Sequence, residues 1–190
     1  SDRSMRHREY RSVNLPAALR PSVAAALVFL THPAPNDIFM DPMCGSGTIL
    51  AERVLAGRYR SVAGGDIFLD RVYAASKNLS GLGKSVELSW WDARKLPISS
   101  GWVDKGAVNL PFGKQVGSRS TIERLYPQFT AELERVLKPG GLAVLLTSEF
   151  DLLKSALRHC GTLRHQTGYS IAVLGQWARA YVVQKVPVLG

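Results

Sequence analysis

The chain has 190 residues, 46% of them hydrophobic and 21% charged, which is enough apolar material for one globular domain with its own core. Its formal net charge of +9 indicates a polyanionic partner, RNA or DNA. It has no apolar run long enough to cross a bilayer and no secretory signal, so we expect a cytoplasmic protein with no membrane contact. Cys44 and Cys160, its two cysteines, suggest neither a disulfide framework nor a zinc site, and we expect no bound metal.

The chain opens with a basic stretch, residues 1–13, which we interpret as an N-terminal arm ahead of a domain over residues 14–190. The charge of the arm comes from Arg3, Arg6, Arg8 and Arg11. Pro16 suits the first turn of a helix, and the strong helix formers from Ala17 to Leu30 predict a leading helix.

The segment FMDPMCGSGTIL, residues 39–50, is the most informative part of the sequence. Apolar residues from Ile38 to Met40 predict a buried central strand, which ends at Asp41 because the proline that follows stops sheet pairing. Gly45 and Gly47 then allow a tight turn and close approach of a ligand to the main chain. A helix is expected from this turn to Gly57.

Ser46 and Thr48 are candidates to cap that helix. A strand, glycine turn and helix are typical of a dinucleotide site, but the third glycine of G-x-G-x-x-G is missing. Asp41 would also direct a negative charge toward a phosphate. A carboxylate is better suited to a cationic cofactor, and S-adenosylmethionine carries both an amino group and a sulfonium.

Two further strands are also followed by acids. Ser61 to Asp66 predicts the second strand, and Asp66 is placed to accept hydrogen bonds from ribose hydroxyls. Val86 to Trp90 predicts the third, after a helix over Leu69 to Leu79, and Asp92 is expected to accept from an adenine amino group. The three acids together therefore predict a nucleoside-containing cofactor along one edge of the sheet.

The rest of the chain continues the alternation of helices and strands. Ser120 and Glu123 have capping-box spacing for a helix. The remaining predicted elements are a helix over Leu125 to Leu137, a strand over Leu142 to Thr147, and a final strand pair, Tyr169 to Leu174 and Ala180 to Val186, around Gly175 to Arg179. The pattern predicts an α/β fold: a mostly parallel seven-stranded sheet with helices on both faces and a C-terminal antiparallel hairpin.

A second motif, Asn109-Leu110-Pro111-Phe112, indicates the reaction. The Asn109 side-chain oxygen and the Leu110 carbonyl can each accept an N–H from the exocyclic amino group of a base, while Phe112 stacks on the ring. The amine lone pair would then point at a methyl donor, and no strong general base is required. A paired base cannot reach such a pocket, so the target is expected to be unpaired or flipped.

With these motifs the chain resembles the Rossmann-like class I S-adenosylmethionine-dependent methyltransferases, and among them the catalytic domain of the THUMP-associated tRNA guanine-N2 methyltransferases. The resemblance covers nearly the whole chain, from Asn14-Leu15-Pro16-Ala17-Ala18-Leu19-Arg20-Pro21 through the D-P-x-C-G-S-G-T turn. It implies guanine N2 in tRNA as the target and S-adenosylmethionine as the cofactor. The cofactor residues it implies are Asp41, Cys44, Gly45, Gly47, Thr48, Asp66, Ile67, Asp92, Ala93 and Asn109, with Asn109, Leu110, Pro111 and Phe112 at the target base.

The sequence departs from the family pattern at one position. The commonest motif has proline where this chain has Leu110, which still supplies the backbone carbonyl but makes the loop less rigid. Members of the family also carry an RNA-binding THUMP domain ahead of the catalytic domain, so we expect these residues to be part of a longer protein. Lys114 and Arg119 follow the motif and are candidates for phosphate contacts.

Two alternatives remain open from the sequence. An adenine-N6 methyltransferase of DNA or rRNA uses the same Asn-x-Pro-aromatic motif, because adenine also has an exocyclic amino group. A non-catalytic module that binds nucleic acid would keep the fold but would not bind the cofactor.

Overall fold

The computed structural model describes Tyr10, Val13 and residues 18–112, 119–173 and 175–187. The elements in these ranges are, in chain order, α1 (Pro21–Leu30), β1 (Ile38–Asp41), α2 (Thr48–Leu55), β2 (Ser61–Asp66), α3 (Leu69–Ser80), β3 (Glu87–Trp90), β4 (Val103–Asn109), α4 (Arg119–Val136), β5 (Leu137–Thr147), α5 (Phe150–Arg158), β6 (Leu163–Val173) and β7 (Gln176–Lys185). No described helix is both long enough and apolar enough to cross a membrane.

The strands form one seven-stranded sheet in the order β3-β2-β1-β4-β5-β7-β6. The five strands from β3 to β5 pair in parallel, whereas β7 is antiparallel to both β5 and β6. The predicted mixed sheet with a closing hairpin is confirmed. The strand order reverses between β1 and β4, and the crevice at such a switch point is where open α/β sheets bind ligands.

Helices cover both faces of the sheet. Leu27 of α1, Leu50 of α2 and Leu79 of α3 are buried in one apolar cluster. Phe129 of α4 and Leu153 of α5 are buried in a second cluster on the opposite face. This burial on both sides fixes the strand ends that carry the predicted site residues.

Several predicted boundaries are wrong, and among them α4 begins at Arg119 rather than Leu125 and β5 at Leu137 rather than Leu142. The leading helix begins at Pro21 rather than Ala17, because a proline restricts the residue before it, and Arg20 is extended at φ −66° and ψ 139°. The predicted role of Pro16 lies outside the described residues. In the hairpin, the strands are longer than predicted: the segment interpreted as a loop after Gly175 belongs to β7, since cross-strand pairing continues to Val173 and Gln176.

The predicted caps also differ from the structure. The N-cap of α2 is Gly47, in the left-handed region at φ 81°, and no side chain caps the helix, so neither Ser46 nor Thr48 has that role. Ser120 lies inside α4, which already includes Arg119, rather than ahead of it. The helices form without these caps because their buried faces stabilise them.

Candidate active site

A cleft of about 720 Å³ opens at the carboxyl ends of β1, β2 and β4. Of the residues predicted for the site, the cleft is lined by Asp41, Cys44, Gly45, Thr48, Asp66, Ile67, Asp92, Ala93, Asn109, Leu110, Pro111 and Phe112. Gly47 is the exception. The fold therefore brings together two motifs that are separated by 59 positions in the sequence, from Leu50 to Asn109.

The two glycines of the turn have different roles. Gly45 has φ 52°, its N–H donates to Asp66 Oδ2 at 3.0 Å, and an added Cβ would meet no atom within 4 Å. Gly47 has φ 81°, and a Cβ there would lie 3.1 Å from the Cβ of Ala75 on α3. Gly45 therefore shapes the loop that borders the cleft, whereas Gly47 allows close packing of α2 against α3.

Asp66 is the carboxylate at the end of β2 and is buried, with 3% of its surface exposed. Its Oδ2 accepts from the Gly45 N–H at 3.0 Å, and its Oδ1 accepts from the Phe68 N–H at 3.1 Å. Arg71 Nη1 lies 3.8 Å from Oδ1. Since each carboxylate oxygen has two lone pairs, Asp66 can order the glycine turn and still accept from a ligand.

Asp41 at the end of β1 is buried still more completely, at 1% exposure, and its Oδ1 accepts from the Met43 N–H at 3.2 Å. Burial raises the pKa of this carboxyl well above its ordinary value, the Met43 bond opposes the rise, and the nearby Asp66 charge adds to it. A buried acid in this state favours a cationic ligand, which would restore its charged form.

This pKa shift predicts a stability effect of Asp41→Asn. Below pH 3.8, the ordinary pKa of an aspartate, the carboxyl is protonated in both the folded and the unfolded chain and contributes no difference. Above that pH the unfolded chain loses the proton first, so stability falls as pH rises toward the raised folded pKa. Asn keeps the oxygen that accepts from the Met43 N–H, and it has no charge, so the free-energy cost of burying a carboxylate is removed. We expect a rise in Tm at pH 7 of about 2–4 °C, which ~1 kcal/mol gives in a chain of this size.

The measurement is thermal unfolding of the ligand-free protein at pH 7 and again below pH 4. The gain in Tm should be present at neutral pH and vanish in acid. A lower Tm for Asp41→Asn at pH 7 would show that the buried carboxylate is not a source of strain.

Asp92 lines the cleft but is already engaged by a partner that the sequence did not reveal. Arg94 Nε lies 2.9 Å from Asp92 Oδ1 and Arg94 Nη2 lies 2.6 Å from Oδ2, and the Arg94 N–H also donates to Oδ1. These hydrogen bonds lower the pKa of Asp92, so it remains a carboxylate. An adenine amino group at this position would share the acid with Arg94.

The second motif leaves β4 at the switch point. Asn109 Oδ1 is buried and has no hydrogen-bond partner among the residues that the structure describes, which is uncommon for a polar atom inside a folded chain. The Leu110 N–H donates to the Leu146 carbonyl of β5 at 3.0 Å, which anchors the start of the loop. Phe112 is 5% exposed and lines the cleft with its ring packed into the core. The motif thus brings Asn109, whose Oδ1 is a buried and unused acceptor, to the lining of the cleft on an anchored backbone.

The basic residues predicted to contact phosphates lie mostly outside the described part of the chain. The arginines of the arm and Lys114 lie outside the described residues. Arg119 is exposed and forms an i,i+4 ion pair with Glu123 at 2.9 Å.

Cys44 and Cys160 are buried free thiols, and burial raises the pKa of each, so neither is a reactive thiolate. The described residues contain no group of three or more His, Cys, Asp or Glu side chains that could hold a metal ion.

The strand order, with acids at the ends of β1 and β2 and the glycine turn between β1 and α2, defines a Rossmann-like class I methyltransferase. Among solved structures, TrmN from Thermus thermophilus superposes with a TM-score of 0.79 at 30% identity, over 88% of this chain and 49% of that one. A putative methyltransferase in complex with SAH superposes with a TM-score of 0.76 over 95% of this chain and 55% of that one; at 18% identity it shows the fold alone.

The model of the RMKL-like methyltransferase domain matches residues 8–176, and the chain belongs to that family. Its cofactor is S-adenosylmethionine. The tRNA (guanine(6)-N(2))-methyltransferase THUMP3 of Bos taurus is 33% identical over 187 residues, or 90% of this chain and 37% of that protein. The tRNA (guanine(6)-N2)-methyltransferase of Thermus thermophilus is 32% identical over 94% of this chain and 53% of that protein. The chain thus spans between a third and about half of the length of these relatives.

The residues of the cleft fit this cofactor. Asp41 is a buried acid with a raised pKa, and a cationic ligand would stabilise its charged form. Asp66 keeps lone pairs for hydroxyl groups after binding two backbone N–H groups. These two carboxyl groups are therefore suited to a cationic nucleoside with free hydroxyls.

Proposed function

We propose that the chain transfers a methyl group from S-adenosylmethionine to the exocyclic amino group of a base in RNA, namely N2 of a guanine in tRNA. The observation that carries the proposal is the buried Asn109 Oδ1, to which no described residue hydrogen-bonds, at the switch point of a methyltransferase fold. Two relatives that are 33% and 32% identical have names that state guanine-N2 methylation of tRNA.

In one half of the cleft, the cofactor half, residues of β1, β2 and the loop after β3 would hold S-adenosylmethionine. Asp41 pairs with the positive end of the cofactor, and the Cys44 to Thr48 turn borders it. Asp66 accepts from the ribose hydroxyls, and Ile67 provides an apolar wall beside them. Asp92 and Ala93 face the adenine. When bound, S-adenosylmethionine supplies an electrophilic methyl group.

The substrate half positions the nucleophile. Asn109 Oδ1 and the Leu110 carbonyl each accept an N–H of the exocyclic amine, which holds its lone pair out of conjugation and directed at the cofactor. Phe112 and Pro111 form the apolar wall against the base. Because Asn109 Oδ1 is inaccessible to a paired base, the target must be unpaired or leave its stack, at a cost of a few kcal/mol.

We further propose that the basic residues outside the cleft contact the RNA backbone. Residues 1–13 would form a basic arm ahead of a methyltransferase domain over residues 14–190. Lys114 and Arg119 would contact the phosphates of the flipped nucleotide. The net charge of +9 supports a polyanionic substrate. Raising the salt concentration should therefore weaken RNA binding steeply.

The test is a transfer assay with tritiated cofactor on tRNA, rRNA and duplex DNA, followed by nucleoside analysis. N2-methylguanosine in tRNA is the expected product. N6-methyladenosine as the sole product would replace the guanine assignment with the adenine one. Calorimetry that shows no binding of S-adenosylmethionine at high concentration would instead favour a non-catalytic module.

A further inference from the structure

A buried chain of hydroxyls lies directly behind the Asn109-Leu110-Pro111-Phe112 loop. Tyr126 of α4 has no exposed surface, and its Oη lies 3.0 Å from the Pro111 carbonyl oxygen. The same Oη lies 2.5 Å from Oγ1 of Thr147, which is also fully buried at the end of β5. Thr147 Oγ1 in turn accepts from the Glu149 N–H at 2.9 Å.

The direction of each hydrogen bond in this chain is fixed by chemistry. The Pro111 carbonyl can only accept, so the single proton of the Tyr126 hydroxyl must be donated to it. The Thr147 hydroxyl must then donate to Tyr126 Oη, while it accepts from the Glu149 N–H. Burial raises the pKa of Tyr126, so its hydroxyl stays protonated as this donor requires.

Among the described residues, this loop is held by the burial of Leu110 and Phe112 and by few backbone hydrogen bonds. Its start is anchored by the Leu110 N–H to the Leu146 carbonyl. The proline nitrogen has no proton, and the ring fixes φ of Pro111 but leaves its ψ free. The hydrogen bond from Tyr126 to the Pro111 carbonyl fixes that remaining angle. Leu110, which lacks the ring that proline would supply, makes this second restraint more important.

We propose that Tyr126 is a positioning residue for the substrate half of the cleft. Acting through Pro111 and supported by Thr147, it holds the loop so that the acceptors of Asn109 and Leu110 converge on one amino group. This inference rests on the proposed function, since it assigns a role in the same transfer step.

The test compares Tyr126→Phe with Tyr59→Phe. Tyr59 also donates its hydroxyl to a backbone carbonyl, that of Ser85 at 3.3 Å, but it does not line the cleft. We expect Tyr126→Phe to lower kcat by about 10- to 100-fold, the range that follows a displacement of about 1 Å in a reacting pair. Binding of S-adenosylhomocysteine should stay within about twofold, as should every property of Tyr59→Phe.

Thr147 provides a second route into the same chain of hydrogen bonds. Thr147→Val removes the hydroxyl that donates to Tyr126 and should lower kcat about 3- to 10-fold, whereas Thr147→Ser keeps that hydroxyl and should remain within about twofold of wild type. These two variants decide the matter if Tyr126→Phe fails to fold.

Amide hydrogen exchange gives a readout that does not depend on transfer. Exchange at the Leu110 amide should accelerate about tenfold in Tyr126→Phe, while amides in the centre of β1 stay unchanged. Unchanged kcat and unchanged exchange in folded Tyr126→Phe, or a parallel loss of kcat and cofactor affinity, overturns the inference. If wild type transfers no methyl group to any RNA, the proposed function fails, and the exchange data alone then decide whether Tyr126 holds the loop.

Discussion

Asn109→Ala is expected to lower kcat for RNA methylation by about 10²- to 10³-fold, the loss typical of removing one preorganised polar group from a transition state. The alanine removes Oδ1, the buried acceptor that has no donor in the described structure. Because that atom makes no bond in the free protein, its loss should leave folding and cofactor binding almost unchanged. The measurements are steady-state transfer to tRNA and calorimetry with S-adenosylhomocysteine, whose Kd should shift by less than about threefold.

Asn109→Asp is the matched control for this prediction. It keeps an acceptor oxygen in the same place, so it should retain more activity than Asn109→Ala. If the aspartate and alanine variants were equally active, the side-chain oxygen would not be the group that holds the amine. Weakened cofactor binding in Asn109→Ala would place this residue in the other half of the cleft.

The elements that sequence predicted best are those whose signal is local. Ser61–Asp66 is a strand over its predicted span, and β1 ends at Asp41 as predicted, because an apolar run followed by an acid and a proline leaves little choice. The start of the leading helix was harder to predict. Ala17 has high helix propensity and Pro21 is tolerated at a first helical position, so only the extended Arg20 imposed by Pro21 decides between them.

The parts of the site that sequence did not predict depend on long-range contacts. Tyr126 reads in sequence as one of several apolar positions on an amphipathic helix, and nothing local indicates that its hydroxyl meets Pro111 and Thr147. Arg94 differs, since it lies only two residues from Asp92, and their pairing depends on the conformation of the turn after β3, which the sequence pattern did not define. Periodicity identifies the buried face of an element but not its partner across the core.

The cleft places Asp41, which has no ion-pair partner among the described residues, near Asp66, whose ion pair with Arg71 is long. Asp41 is buried and hydrogen-bonded to a backbone N–H, and the charge of Asp66 raises its pKa further. Arg71, the cation beside Asp66, stands 3.8 Å away. Such a pair lowers the stability of the empty protein and increases its affinity for a cation, a trade between stability and function common in binding sites. Gains in Tm from Asp41→Asn should therefore accompany weaker cofactor binding.

Asp66→Ala is expected to weaken binding of S-adenosylhomocysteine by about 10- to 100-fold, since hydrogen bonds to a charged group contribute roughly 1.5–3 kcal/mol each. Binding is lost for two reasons. Asp66 would accept hydrogen bonds from the ribose, and it already holds the Gly45 and Phe68 N–H groups in place. Asp66→Asn has only one acceptor oxygen and can satisfy only one of these donors, so it should fall between alanine and wild type.

Calorimetry on the three proteins measures this order, with Asp151→Asn on the exposed start of α5 as a charge-matched control that should bind like wild type. Asp66→Ala at saturating cofactor should recover most of its kcat, because the substrate loop after β4 is intact. That recovery separates it from Asn109→Ala, which no cofactor concentration should rescue. Equal loss of cofactor affinity in Asp66→Ala and Asn109→Ala would mean that the two halves of the cleft are not divided as proposed.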